Sequence, residues 1–325
     1  MMDELIIIGA GPMGLYGGFA AGLRGIKGKI LESSYTYGGQ VSALYAEKKI
    51  YDIPGFINLR GQDFVEKLYE QYKKYEELFP LELNTEVKEI IKQEDHFLIN
   101  TNRGAFYSKK ILIANGGGKF TPKRLECENA LEQDNILYTV SNLEQFKDKN
   151  VVILGGGDSA ADWALMLADI AKDVKLVHRR DNFRAHQATI DEYLAKGQKT
   201  LTPFVAKSVN GDPTVKQIVL ENVNDKSELV LDVDYLLVFY GVDNSKTNVS
   251  SWGIDTNEDG IVVGTNMKTN IPGIYAVGNS VTYPGKLKMI VTGLGETGTA
   301  IGEITNELYP NRKNNNIYSS LLIKE

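Results

Sequence analysis

One local plan occurs twice in this chain: a short apolar strand, a glycine turn, a helix and a second strand. The first copy runs from Leu5-Ile-Ile-Ile8 through Gly9-Ala-Gly-Pro-Met-Gly14 and a helix to about Leu23, then to the strand Lys29-Ile-Leu-Glu32. The second runs from Val151-Val-Ile-Leu154 through Gly155-Gly-Gly-Asp-Ser-Ala160 and a helix to about Ile170, then to Val174-Lys-Leu-Val177. Uninterrupted apolar runs of this length suit parallel strands covered on both faces. In G-x-G-x-x-G the first glycine makes the tight turn, the second lets a pyrophosphate approach the backbone, and the third lets helix pack on strand. The helix N-terminus then offers unpaired N–H groups and a partial positive charge to the phosphate. Gly9, Gly11 and Gly14 meet the pattern, followed by Pro12 and Met13 at the helix start. Gly155 and Gly157 meet it with Ala160 in third place, which still permits close packing; Asp158 and Ser159 open that helix. The duplication predicts an α/β fold with two Rossmann-like dinucleotide-binding domains.

The copies differ where the second strand ends. The first has Glu32, a carboxylate able to accept hydrogen bonds from a ribose diol. The second has His178-Arg179-Arg180, with Arg184 close behind. Guanidinium groups favour a 2′-phosphate through charge-assisted, bidentate contacts. The contrast predicts FAD on the first unit and NADPH on the second.

Other readings bound the function. The net charge of −6 argues against a nucleic-acid-binding module, which needs a basic footprint. Cys127 is the only cysteine, so neither an intramolecular disulfide nor a CxxC redox pair can form, and three histidines show no metal-site spacing. The first apolar run is broken by glycines and lacks a basic leader, and no stretch reaches the length of a membrane span. A cytoplasmic protein is expected. Further along, residues 62–78 show helical spacing, Lys110–Ala114 reads as a buried strand stopped by Gly116–Gly118, Gly273–Val277 as another, and Gly293–Leu308 as a helix.

Several runs resemble the thioredoxin-reductase-like ferredoxin/flavodoxin–NADP+ reductases. They are Gly155–Leu165, His178–His186, Gly38-Gly-Gln-Val-Ser-Ala-Leu-Tyr45, Ile50-Tyr-Asp-Ile-Pro-Gly-Phe56, Thr282-Tyr-Pro-Gly-Lys286 and Gly295-Glu296, in order over nearly the whole chain. The resemblance implies a homodimer in which an NADPH domain, residues 118–242, is inserted into a discontinuous FAD domain, residues 1–117 and 243–325. Carried over by position, Gly11, Pro12, Glu32, Gln40 and Val87 hold the adenosine and pyrophosphate side of FAD. Tyr45, Tyr51 and Asp52 lie near the flavin, and Met13, Gly39, Phe120, Asn279 and Thr299 complete the set. Hydride transfer is then the cofactors' chemistry and no acid–base residue is expected; Tyr51, Asp52, Tyr318 and Ser319 are positioners. A helix start near Glu296–Thr299 is expected to aim N–H groups at the flavin.

Two departures stand out. Relatives usually carry aspartate where this chain has Asn279, and several carry a tail histidine where it has Tyr318. The segment Tyr138-Thr-Val-Ser-Asn142 holds no cysteine where thioredoxin reductases have CxxC. Delivery of single electrons to ferredoxin or flavodoxin is the preferred reading, with Lys48, Lys49, Lys119, Lys123, Arg124, Lys286 and Lys288 as candidate contacts for an acidic partner. Two alternatives stay open: a diaphorase-like NAD(P)H reductase of quinones, free flavin or another redox protein, and a flavin-binding module that has lost turnover.

Overall fold

The computed structural model describes residues 2–118, 121–130, 133–140, 142–243 and 249–312. Phe120, Tyr318, Ser319, Lys119 and Ser141 lie outside them. The chain divides into two compact units, residues 1–120 with 244–325, and residues 121–243.

The first unit begins β1 (Asp3–Ile8), α1 (Pro12–Leu23), β2 (Gly28–Leu31), α2 (Gly39–Tyr45) and α3 (Gly61–Lys73). It continues β3 (Leu81–Glu82), β4 (Val87–Lys92), β5 (Phe97–Thr101) and β6 (Gly104–Ile113). The sheet order is β3-β2-β1-β6-β5-β4. β1 runs parallel to both β2 and β6, and Leu5, Ile6 and Ile7 are fully buried between the covering layers. β4, β5 and the first half of β6 form an antiparallel meander that turns at the polar tract after Lys92. α3 stops at Lys73 rather than running to residue 78, because the chain turns through Tyr75 and Phe79 to deliver β3. The Tyr72 hydroxyl secures that turn by donating to the Phe79 carbonyl at 2.6 Å.

The second unit contains β7 (Ile136–Leu137), β8 (Asn150–Leu154), α4 (Asp158–Leu167), β9 (Asp173–Val177), α5 (Gln187–Ala195) and β10 (Lys199–Leu201). It continues β11 (Phe204–Asn210), β12 (Gln217–Asn222), β13 (Glu228–Asp232) and β14 (Tyr235–Val238). Its main sheet is wholly parallel in the order β7-β14-β8-β9-β10. Alternation along β8 sorts the core. Val151 and Ile153 pack with Phe146, Trp163 and Tyr193, while Val152 and Leu154 face Ile218, Leu220 and Leu236. β11, β12 and β13 form a separate antiparallel sheet. α4 ends at Leu167, three residues short of the expected Ile170, because the Leu167 carbonyl accepts from both Ile170 and Ala171 in a closing turn. Backbone pairing of Thr121–Pro122 with Val242–Asp243 closes the unit into a loop.

The chain then completes the first unit with β15 (Ile274–Ala276) and α6 (Ile290–Leu308). β15 lies parallel to the second half of β6, so that one strand serves both the meander and the parallel core. α6 packs on α1; a Cβ on Gly17 would sit 3.4 Å from Thr297 Cγ2.

Candidate functional site

The first cradle sits where β1 ends. Gly9 has φ +104°, and a Cβ there would stand 2.7 Å from the Ala114 carbonyl oxygen. A Cβ on Gly14 would stand 1.8 Å from the Gly9 carbonyl oxygen, so this position admits no side chain. Gly11 differs. It is the residue before the first turn of α1, and a Cβ there would meet only the Gly39 Cα, at 3.9 Å. The space over Gly11 is therefore open, at the end of a helix whose first N–H groups lack intrahelical partners.

Glu32 borders this space and is 8% exposed. Its Oε2 accepts from the Ala10 backbone N–H at 2.7 Å and its Oε1 from the Ser34 N–H at 2.7 Å. Oε1 also accepts from the Ser33 hydroxyl at 3.3 Å, so the lone pair left for a ligand hydroxyl is on Oε2. The Glu32 carbonyl accepts from Thr85, which brings the start of β4, with buried Val87, to the same end of the sheet. The N-terminus of α2 meets the cradle through Gly38, whose N–H donates to the Ala10 carbonyl at 2.8 Å. The Gln40 side chain lies against Gly117. Two buried atoms nearby lack partners, Ser42 Oγ and Asn115 Oδ1. Open space at a helix N-terminus, an oriented carboxylate and orphaned polar atoms fit a dinucleotide here.

Beyond α2 the side chains are open. Tyr45 is 39% exposed with the Lys48 ammonium 5.2 Å from its ring, Tyr51 is 68% exposed, and Asp52 is exposed. Tyr51 and Asp52 begin the loop that joins the paired Lys49–Ile50 and Leu59–Arg60.

At the end of β15 the chain turns through Gly278 (φ +81°), Asn279 and Ser280. Asn279 is exposed, whereas Gly278 packs on Met13 of the cradle helix, as does Gly293 of α6. The Gly278 N–H donates to Glu296 Oε2 at 2.8 Å. Glu296 Oε1 accepts from the Tyr283 hydroxyl at 2.6 Å and from the Lys286 ammonium. Both members of the ion pair are buried. Burial, then the bond to Glu296, pushes the Tyr283 hydroxyl up to about 12.

Two expectations are corrected here. α6 starts at Ile290, so the free N–H groups belong to residues 290–292 and Glu296–Thr299 lies inside the helix. Thr299 is exposed and its hydroxyl donates to the Gly295 carbonyl. Lys286 is not a surface contact, because its ammonium is buried against Glu296. Lys288 donates to the Asp259 carbonyl and Arg124 stacks on Tyr138, 4.6 Å from its ring centre.

The second cradle repeats the first with a different rim. A Cβ on Gly155 would stand 2.8 Å from the Ala160 Cβ, while Gly157 has only Arg184 Nη2 near it, at 4.0 Å. The strand end folds back over the turn. Arg184 and Ala185 N–H groups both donate to the Gly156 carbonyl, and the His186 N–H donates to Asp158 Oδ1 at 3.0 Å. The His178 ring lies on Gly156, its Nε2 buried without a partner, and Phe183 packs beside it. Burial, then the charges of Arg179, Arg180 and Arg184, lowers the His178 pKa. All three arginines are exposed, and among the described residues none makes an ion pair. Guanidinium groups without a carboxylate partner, one of them beside Gly157 at a helix N-terminus, are the chemistry that an anion would need.

Sequence reasoning passed over Glu296. The signal was present: it falls on the buried stripe of α6 with Gly293, Thr297, Ala300, Ile301 and Ile304, where a carboxylate needs partners. Among the described residues no cluster of His, Cys, Asp and Glu suits a metal, and no helix is long and apolar enough to cross a membrane.

Comparison with known proteins agrees over most of the chain. Residues 3–299 match the family model described as pyridine nucleotide-disulphide oxidoreductase. A protein of Acholeplasma laidlawii named ferredoxin–NADP reductase is 46% identical over 325 residues, covering 100% of both chains. A protein of the same name from Streptococcus agalactiae is 41% identical, covering 99% of this chain and 98% of its own. Among solved structures, Lactococcus lactis thioredoxin reductase is 27% identical with a TM-score of 0.71, covering 93% of this chain and 97% of its own.

Proposed function

Since this chain belongs to the pyridine nucleotide-disulphide oxidoreductase family, we propose that it is an FAD-dependent reductase that takes hydride from NADPH and passes electrons to ferredoxin. When bound, FAD supplies the step that converts a two-electron donor into single-electron delivery. The residues of the chain bind and orient. The first unit is the FAD unit: Gly11 leaves room for the pyrophosphate, Glu32 takes the ribose, and Tyr45, Tyr51 and Asp52 border the flavin end. The second unit is the NADPH unit: Gly157 leaves room for the pyrophosphate and Arg179, Arg180 and Arg184 hold the 2′-phosphate. Hydride transfer from nicotinamide to flavin needs no proton from a side chain, and none is assigned that role.

One observation carries this reading: two matching cradles with opposite rims, a carboxylate held by backbone N–H groups in one and three unpaired guanidinium groups in the other. A lone cysteine removes the dithiol relay as an exit for the electrons. Flavodoxin as a second acceptor, a homodimer and a cytoplasmic setting belong to the same proposal. The test is an anaerobic titration of the flavin-loaded protein with NADPH and with NADH, followed by ferredoxin, flavodoxin or quinone. Bleaching by NADPH and reoxidation by ferredoxin are expected. A preference for NADH, or reoxidation by quinone alone, would overturn it.

A further inference from the structure

One buried ion pair, Glu296 with Lys286, touches neither glycine cradle through its own side chains. Glu296 and Lys286 are both nearly inaccessible, their side chains 4% and 5% exposed. Burying two charges costs more than their attraction returns unless further hydrogen bonds complete the site. Here those bonds lead to one place. Glu296 receives the Gly278 N–H and the Tyr283 hydroxyl as well as the ammonium. It thereby ties two pieces of chain to α6: the turn at the end of β15 and the segment Tyr283–Lys286.

The position of that turn makes it consequential. β15 lies beside β6, and β6 beside β1, so Gly278 stands at the carboxyl edge of the sheet with Gly9 and Ala114. Ligands of open parallel sheets bind outside that edge. Gly278 also packs on Met13, the second residue of the cradle helix. Asn279 follows and is exposed. The turn is held on one side by the Ser280 hydroxyl, which donates to the Val277 carbonyl at 3.0 Å, and on the other by the Gly278 N–H bond to Glu296.

We infer that Glu296 is a positioning residue for the flavin: with Lys286 and Tyr283 it fixes the Gly278–Asn279 turn in the FAD site and balances the ammonium charge there. This rests on the reading of the first unit as the FAD unit. Its two halves have separate consequences. Loosening the turn weakens FAD, because the cofactor must then order it. Unbalancing the charge moves the flavin midpoint potential, because reduced flavin is the more negative form and a nearby cation favours it.

The experiment uses the full-length protein stripped of FAD and reloaded. FAD affinity is read from flavin fluorescence and the midpoint potential from dye-coupled titration at neutral pH. Glu296→Gln leaves the ammonium unbalanced and should raise the potential; Lys286→Met leaves the carboxylate unbalanced and should lower it. The double variant should return near the wild-type potential. All three should bind FAD about tenfold more weakly. Tyr283→Phe keeps the charges, so it should weaken FAD without moving the potential. If a single variant fails to fold, judged by circular dichroism, the double variant and Tyr283→Phe decide the matter. Both binding FAD as wild type does would overturn the inference, and so would single-variant potentials that stay put or move in one direction. A wild-type chain that takes up no FAD would instead sink the reading of the unit.

Discussion

Arg179, Arg180 and Arg184 follow one strand end in the sequence, and all three are exposed in the structure. The structure sets Arg184 closer to the cradle than its distance in sequence suggests. The reason is local: its own N–H is bonded to the Gly156 carbonyl, so the guanidinium is carried back over Gly157. We expect Arg179→Ala with Arg180→Ala to weaken NADPH binding by roughly tenfold to a hundredfold, the loss of charge-assisted bonds to one phosphate. NADH binding should be unchanged. Isothermal titration with both nucleotides measures this, and equal losses for the two would assign the arginines to the shared pyrophosphate. Glu296 and Lys286 were harder to read because a charged residue is counted as exposed until its partners are known, and those partners lie on other segments.

At the scale of elements, the two βαβ copies were clear because strand, glycine turn and helix signals agree at every level. The start of α6 was not. Met289 precedes it with no side-chain cap, and no Ser, Asp or Asn marks the boundary, so the sequence alone reads as a helix from Gly293. α1 offers a sharper test, since its glycines do different work. Gly14→Ala should clash with the Gly9 carbonyl and destabilise the flavin-free protein by about 2 kcal/mol or more. Gly11→Ala has room in the folded chain, with its nearest neighbour 3.9 Å away, and should leave that melting temperature unchanged. It should nonetheless abolish FAD uptake, because the methyl group fills the space a pyrophosphate needs. Thermal denaturation of the flavin-free variants, beside flavin retention on purification, separates the two; a Gly11→Ala protein that stays yellow would remove Gly11 from the site.

For the whole molecule, the discontinuity of the first unit depends on long-range pairing that no local pattern encodes. The strand Gly273–Val277 was recognisable, but that it lies beside Lys110–Ile113 follows from the register, not from its composition. α6 is also fixed at its far end by charge. Glu307 meets Lys110 of β6 and Lys268, the latter at 2.9 Å. Burial alone would raise its pKa, but hydrogen bonds from Lys110 and Lys268 prevail and hold it down to about 2. A folded value below the ordinary 4.5 means stability that is complete above 4.5 and lost as pH falls toward 2. Glu307→Gln should therefore cost roughly 1–2 kcal/mol at neutral pH, a figure discounted for partial exposure. The loss should vanish under strong acid, as measured by urea denaturation across that range; a penalty independent of pH would mean that shape and not charge holds the helix.

The ribbon of Thr121–Pro122 with Val242–Asp243 has a bearing on the order of events during synthesis. β15 cannot reach β6 until residues 114–273 have been traversed, and closing so long a loop as free coil is slow. Once the inserted unit is formed, its two ends lie side by side, and the loop still to be closed is shorter by the residues between them. The ribosome also releases residues 121–243 before β15 exists, so the insert can mature while the sheet around it waits for its last strand. In refolding followed by pulsed hydrogen exchange, amides of Val151–Leu154 should gain protection before those of Ile274–Ala276. The opposite order would mean that the outer sheet assembles without help from what it encloses.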